Sequence, residues 1–141
     1  MDGLSQQTVL TITQDQQGFL WFGTNDGLNR FDGYSFKVFH ASADSSTGLH
    51  NDFISRLFCA KDGKVWVGTF EGGVSVYDPN TEVFTTYRHD PSDSSSLRRD
   101  KIGPIFQDRS GTMWIGSWNA ALSRMSIVNG KVKFFHYRND P

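Results

Sequence analysis

Three aspartates in predicted turns are the first residues whose chemistry needs an assignment. Asp15, Asp62 and Asp108 each stand shortly before a glycine, where a carboxylate could hold calcium or take part in catalysis. Each turn offers only one carboxylate, whereas Ca²⁺ sites gather about 6–8 oxygen ligands. We therefore expect these aspartates to shape their turns.

A pair of carboxylates could also hydrolyse a glycosidic bond if the chain brought Asp26 and Glu71 together. Both residues lie in equivalent loops of an internal repeat, and carboxylates in loops are usually solvated. We therefore expect no catalytic residues, and the chain is predicted not to be an enzyme. A glycan-processing enzyme is the alternative, and oligosaccharide hydrolysis abolished by Asp26→Ala or Glu71→Ala would identify it.

The histidines and the single cysteine give no metal or redox pattern. The four histidines lack metal-ligand spacing, and His40 and His136 are predicted to lie at equivalent strand ends, so repetition explains them better than zinc does. Cys59 lies in an apolar strand without a basic neighbour in sequence, which predicts a buried, inert thiol. We expect no metal, no cofactor and no intrachain disulfide.

The best ligand-binding candidates directly follow a repeated Gly-Thr or Gly-Ser pair, and they vary in type while the framework around them does not. They are Asn25, Asp26, Phe70, Glu71, Trp118 and Asn119. Trp118 lies outside the repeated framework, and an aromatic face beside amide and carboxylate groups suits a sugar. Loop residues that fill the gap between repeats are the alternative.

The elements that must position these loops come from a stretch that the chain contains three times. The copies are Gly18–Thr24, Gly63–Thr69 and Gly111–Ser117. Each places a tryptophan between two apolar residues and ends with glycine and a hydroxyl residue. The tryptophans are Trp21, Trp66 and Trp114, and the glycines are Gly23, Gly68 and Gly116. Periods of about 20–50 residues indicate solenoids, propellers or arrays.

Each repeat reads as four short strands separated by turns rich in Gly, Asp and Asn. Because the tryptophan strands are apolar on both faces, we expect each sheet to be covered on both sides by neighbours. The prediction is an all-β chain of three four-stranded antiparallel propeller blades, at about 4–40, 49–88 and 97–138, within one domain spanning 1–141. In the first blade, Phe36 and Val38 are expected to point inward. Pro104 is expected to confine its strand to an edge or a bulge.

Three blades cannot close a ring and would leave two apolar faces open. We therefore expect self-association, most simply a dimer that forms a six-bladed ring about a two-fold axis. The sequence at 137–141 also resembles that at 87–91, which predicts a segment of a longer repeat protein.

Composition argues against nucleic acid as a partner. The formal net charge is −1, and no basic region exists to attract a phosphate backbone. No apolar run has the length of a membrane span, and no signal peptide is visible at the start.

The core Asp-x-x-Gly-x-apolar-Trp-apolar-Gly-Thr, followed by Gly27–Asp32, resembles the two-component regulator propeller repeat. The resemblance covers about three repeats. The second repeat departs from the pattern, with Ala60 where the others have Asp15 and Asp108. The third has Ala120 and Ala121 where the second has Gly72 and Gly73.

This resemblance implies a non-catalytic, periplasmic sensor segment of a two-component signalling protein, whose parent is of the hybrid histidine kinase type. Such sensors respond to ligands that include polysaccharide fragments and signal as dimers, so an oligosaccharide is an implied ligand. A diguanylate cyclase parent and a glycan-binding propeller are the alternatives.

Overall fold

A computed structural model describes residues 3–4, 8–41, 48–119 and 121–137, and this part contains twelve strands and no helix. The first repeat contains β1 (Val9–Gln14), β2 (Leu20–Thr24), β3 (Gly27–Phe31) and β4 (Phe36–Phe39). The second contains β5 (Ile54–Cys59), β6 (Val65–Thr69), β7 (Val74–Asp78) and β8 (Val83–Tyr87). The third contains β9 (Ile102–Gln107), β10 (Met113–Ser117), β11 (Leu122–Val128) and β12 (Lys131–Tyr137).

Each repeat forms its own antiparallel sheet of four strands in chain order, so the predicted all-β fold of three blades is confirmed. The first strands of the blades, β1, β5 and β9, are neighbours and form the inner edges. Residues 42–47, 120 and 138–141 lie outside the described residues. They include Ala120 of the third repeat and most of the segment 137–141 that resembles 87–91.

Side chains join the inner strands across the gaps between blades. The Ser55 hydroxyl donates to the carbonyl of Ile102 at 2.7 Å, and the amide of Leu57 donates to Thr11 Oγ1 at 3.1 Å. The pairing of β9 with β10 shifts register between Ile115 and Ser117, and β9, which contains Pro104, is an edge strand. The expectation for this proline is confirmed, since an edge strand tolerates the missing N–H donor.

The hydrophobic core lies between the blades. Trp21 and Leu28 of the first blade are fully buried against Ile54 and Val67 of the second. The next gap buries Trp66 against residues of the third blade such as Ile115. Trp114 points to a face of the third blade that has no neighbour among the described residues, and it is only half-buried.

One prediction about the first blade was wrong. Phe36 and Val38 share the face that points away from the second blade, and Val38 is exposed. Phe39 instead packs into the core, stacking on Trp21 at 5.7 Å and meeting Phe84 edge-on at 5.6 Å. The alternation of this strand was correct, but both of its faces carry apolar residues, so hydrophobicity did not distinguish them.

The repeated glycines allow the blades to approach each other. A Cβ on Gly23 would lie 2.5 Å from Ile54 Cγ2 of the next blade, and one on Gly68 would lie 2.8 Å from Ile102 Cγ2. No blade follows Gly116 within the described residues, and a Cβ there would meet Pro104 of its own sheet at 3.0 Å. The first two glycines are therefore required by packing between blades.

The turns between the first two strands of each blade have the same backbone geometry, although their sequences differ. In each, the residue at the Asp15 position donates its amide to the carbonyl four residues on and accepts from the amide of the turn glycine. This residue is Asp15, Ala60 or Asp108. The glycine has φ of 92° at Gly18 and 90° at Gly63, a left-handed conformation that favours glycine.

Asp15 and Asp108 also each form a hydrogen bond to the tryptophan of their own blade. Oδ2 of Asp15 accepts the Trp21 indole N–H at 2.8 Å, and Oδ2 of Asp108 accepts that of Trp114 at 2.9 Å. Hydrogen bonds from the Ser110 hydroxyl and then from the Trp114 indole lower the pKa of Asp108 to about 2. Asp108 therefore contributes stability above the ordinary pKa of an aspartate and loses this contribution as the pH falls towards about 2. Ala60 has no side-chain acceptor to offer Trp66.

Candidate ligand-binding cleft between the second and third blades

All six predicted ligand-binding residues lie at one end of the blades. This end, called here the loop end, contains the β2–β3, β6–β7 and β10–β11 loops and the linkers β4–β5 and β8–β9. The turns with Asp15 and Asp108 lie at the opposite end. The equivalent loops therefore meet at a single surface.

A cleft of about 810 Å³ opens at the loop end between the second and third blades. The β6–β7 loop, the β8–β9 linker and the β10–β11 loop line it. The lining residues are Phe70, Glu71, His89, Pro91, Arg98, Arg99, Asp100, Lys101 and Asn119. Its volume is within the range of small-molecule sites.

The threonine of the Gly-Thr pair fixes the loop that follows it. Thr69 Oγ1 accepts the amide of Gly72 at 2.9 Å and donates to the carbonyl of Gly73 at 2.8 Å. Thr24 Oγ1 likewise accepts the amide of Asp26 and donates to the carbonyl of Gly27. The threonine thus gives the candidate residues of the first two repeats a defined backbone, whereas the buried hydroxyl of Ser117 in the third has no hydrogen-bond partner among the described residues.

The segment 89–96 contributes His89 and Pro91 to the cleft lining and is held by internal hydrogen bonds. Asp90 and Asp93 accept amides and hydroxyls from Ser92 and Ser95, and these bonds lower the pKa of both carboxyl groups. The amide of Phe134 donates to the carbonyl of Ser95 at 2.8 Å. The Ser and Asp residues of this segment thus bond to one another in successive turns.

The cleft contains more cationic than anionic side chains. Arg98, Arg99 and Lys101 line it, whereas the carboxylates are those of Glu71 and Asp100. Arg88 lies 3.6 Å from Asp100 and partly neutralises it. The arginines and lysine offer several donors to an anionic group such as a carboxylate or a sulfate.

The structure brings Phe70, Glu71 and Asn119 together in this cleft. The amide of Trp118 donates to the carbonyl of Lys101, a cleft residue, and its side chain is half exposed. Asn25 and Asp26 are exposed at the loop end between the first and second blades, away from this cleft. The predicted set is therefore divided between two junctions.

Phe70 does not offer the open ring that a sugar would need. Phe53 stacks on it with ring centroids 4.7 Å apart, and the Lys101 ammonium lies 4.2 Å from its centroid. Trp118 is the better aromatic candidate, since its side chain is 50% exposed. The three cations were not predicted from the sequence, although the charged run 98–101 could have indicated them.

The first junction contains a different group of side chains. Asp26, His40 and Asp52 place one possible ligand atom each within 4.8 Å of one another.

The strand register shows that the predicted equivalence of His40 and His136 was wrong. Phe39 and Tyr87 pair with equivalent residues, so His40 corresponds to Arg88. His136 instead pairs with Ser123 inside its sheet and bonds to its hydroxyl.

Two other candidates have different surroundings in the structure. Asp26 lies beside His40 at the first junction, while Glu71 lines the cleft at the second. Cys59 is half-buried, and burial, followed by the negative charge of Asp15, raises the pKa of its thiol. A raised pKa disfavours the reactive thiolate, in agreement with an inert thiol.

Comparison with known proteins gives one family. The model of the two component regulator propeller matches residues 3–26, 48–71 and 96–119, about half of the chain. A histidine kinase of Formosa agariphila, named P4, is 51% identical over 49 residues, which are 35% of this chain and 4% of the kinase.

Solved structures give the same fold. The extracellular domain of a hybrid two-component system of B. thetaiotaomicron is 30% identical, with a TM-score of 0.88, over 96% of this chain and 19% of that one. Virginiamycin B lyase of Staphylococcus aureus is 16% identical, with a TM-score of 0.64, over 99% of this chain and 45% of that one, a likeness of fold alone. This chain thus spans less than half of the length of each of these relatives. Its described residues include no helix able to cross a membrane.

Proposed function

Because the chain belongs to the two-component regulator propeller family, we propose that it is a ligand-sensing segment of an extracytoplasmic, signal-transducing propeller. The observation that carries this proposal is the polar cleft at the loop end, built by the variable residues on a repeated framework. The extracellular domain that resembles the chain supports a periplasmic location. The parent's output is a histidine kinase in this proposal, and the kinase P4 supports this assignment over a diguanylate cyclase.

The proposed ligand is an oligosaccharide with acidic groups. Glu71 and Asn119 can bond to sugar hydroxyls, and Trp118 can contact a ring face. The Arg98, Arg99 and Lys101 cations favour a carboxylate or sulfate on the ligand. The proposed role is binding without turnover, which is supported by the placement of Asp26 and Glu71 in different groups of side chains.

We expect the double variant Arg98→Ser and Arg99→Ser to weaken binding of a galacturonic acid hexamer at least tenfold. Two charge-assisted contacts are lost, and each is worth about 1.5–3 kcal/mol when fully formed. Isothermal titration calorimetry at low ionic strength measures the effect, with maltohexaose as the neutral probe and a sulfated hexasaccharide as a second acidic one.

Arg109→Ser is the matched control, because Arg109 is exposed in the turn at the opposite end of the third blade. Equal binding of neutral and acidic hexamers would contradict the acidic ligand. The absence of binding to any of the three probes, or the release of shorter sugars, would contradict the sensing role.

We also propose that the chain self-associates through its open blade faces, as a dimer closing a six-bladed ring. Large apolar side chains are exposed on the outer faces of the first and third blades. Among them are Leu10, Ile12, Phe106, Phe135 and Tyr137. Exposed apolar surface of this kind marks an interaction site. We expect light scattering coupled to size exclusion to give twice the 15.9 kDa chain mass. A stable monomer at about 100 μM would contradict self-association.

A further inference from the structure

We propose that Asp26, His40 and Asp52 form a binding site for a divalent transition-metal cation, represented by Zn²⁺, at the loop end between the first and second blades. The site is separate from the cleft between the second and third blades. It joins the β2–β3 loop, the residue after β4 and the segment before β5. These residues are far apart in sequence, and the structure brings them to one point.

The donor set suits zinc. Histidine nitrogen and aspartate oxygen bind Zn²⁺ at about 2.0–2.2 Å, and a tetrahedral site needs donors about 3.4 Å apart. The three donor atoms already lie within 4.8 Å of one another. Asp26 and His40 are exposed, so modest side-chain rotation can close the remaining distance. Water would take the fourth position.

The backbone around the site is already fixed. Asp52 Oδ1 accepts the amide of Ala41 at 2.6 Å, and the carbonyl of Asp52 accepts the amide of Gly27 at 2.7 Å. Thr24 Oγ1 holds the amide of Asp26 at 3.0 Å. Metal binding therefore needs little ordering of the chain, which favours affinity.

The equivalent place in the second repeat shows what the first repeat lacks. There, Arg88 lies 3.6 Å from Asp100, and its guanidinium is permanently charged. In the first repeat, His40 occupies the position of Arg88 and lies 3.5 Å from Asp52. An imidazole nitrogen can donate a lone pair to a metal, whereas a guanidinium cannot. The two carboxylates and this imidazole thus favour a cation from solution.

His40→Arg is the decisive variant because it copies the second repeat. An arginine at position 40 can pair with Asp52 as Arg88 pairs with Asp100, so the fold should be kept while the metal ligand is lost. Asp26→Asn removes a second ligand at an exposed position with almost no change of volume. His50→Arg is the matched control, since His50 is exposed and lies outside the cluster.

Calorimetric titration of the metal-free chain with zinc chloride should show one site with a dissociation constant in the micromolar range. We expect His40→Arg and Asp26→Asn each to weaken binding at least tenfold and His50→Arg to leave it unchanged. Zinc should raise the unfolding temperature of the wild type and of His50→Arg only. Calcium chloride should bind far more weakly, because Ca²⁺ prefers more ligands, all of them oxygen.

The proposal is overturned if the wild-type chain does not bind zinc, or if His40→Arg binds it as tightly as the wild type. Calcium bound as tightly as zinc would also overturn it. Circular dichroism of each variant without metal checks the fold. An unfolded His40→Arg leaves the decision to Asp26→Asn, whose unaltered zinc affinity would overturn the site.

Discussion

Trp21→Ala is expected to destabilise the chain by about 3–5 kcal/mol, the usual cost of removing a buried aromatic side chain. Trp21 is fully buried between the first and second blades. Its ring contacts Tyr77 at 5.1 Å and Phe39 at 5.7 Å, and the guanidinium of Arg30 lies 5.6 Å from its centroid. Because small domains have about 5–15 kcal/mol of stability, this loss would remove a large part of the total. Urea unfolding followed by far-ultraviolet circular dichroism measures it.

Trp114→Ala is the matched control, since Trp114 holds the same place in its repeat and also bonds to an aspartate. The third blade has no described neighbour on that side, and Trp114 is only half-buried. We expect a cost of about 1–2 kcal/mol, in proportion to the smaller apolar area buried. Equal costs for the two variants at a low concentration, where the chain is monomeric, would contradict packing between blades as the source of stability.

The fold could be predicted because each repeat contains a pattern of residues that is typical of a propeller blade. Apolar side chains flanking Trp66 require cover on both faces, and Gly68 allows Ile102 of the next blade to come close. Because the pattern occurs three times, the assignment of strands in one copy can be checked against the other two. A single strand with apolar residues on both faces does not carry enough information, so Phe36 and Val38 were assigned to the wrong side.

The site was harder to predict because it depends on which loops meet. The repeat placed Phe70, Glu71 and Asn119 at equivalent positions, and the structure brings them to one cleft. The repeat pattern could not show that Phe53 and Lys101 already pack against the Phe70 ring. Nor could it align His40 with Arg88, since the repeats differ in length and only strand register gives the correspondence.

The second large effect is expected for Asp15→Ala, which should cost about 2–3 kcal/mol. Asp15 is 7% exposed, and its carboxylate accepts three N–H groups, from the amides of Gln17 and Phe19 and the indole of Trp21. Hydrogen bonds to a charged group are worth about 1.5–3 kcal/mol, and donors left buried without a partner add to the cost. Urea unfolding again measures the loss.

Asp62→Ala separates this effect from a general preference of turns for aspartate. Asp62 is exposed, and its carboxylate accepts the amide of Lys64 in a turn with the same backbone hydrogen bonds. An exposed turn residue of this kind should cost no more than about 0.5 kcal/mol. The second repeat keeps this turn with Ala60 at the Asp15 position, so the carboxylate is not needed to form it. Asp15 therefore stabilises the chain chiefly by holding the buried tryptophan, and equal losses for the two variants would contradict that role.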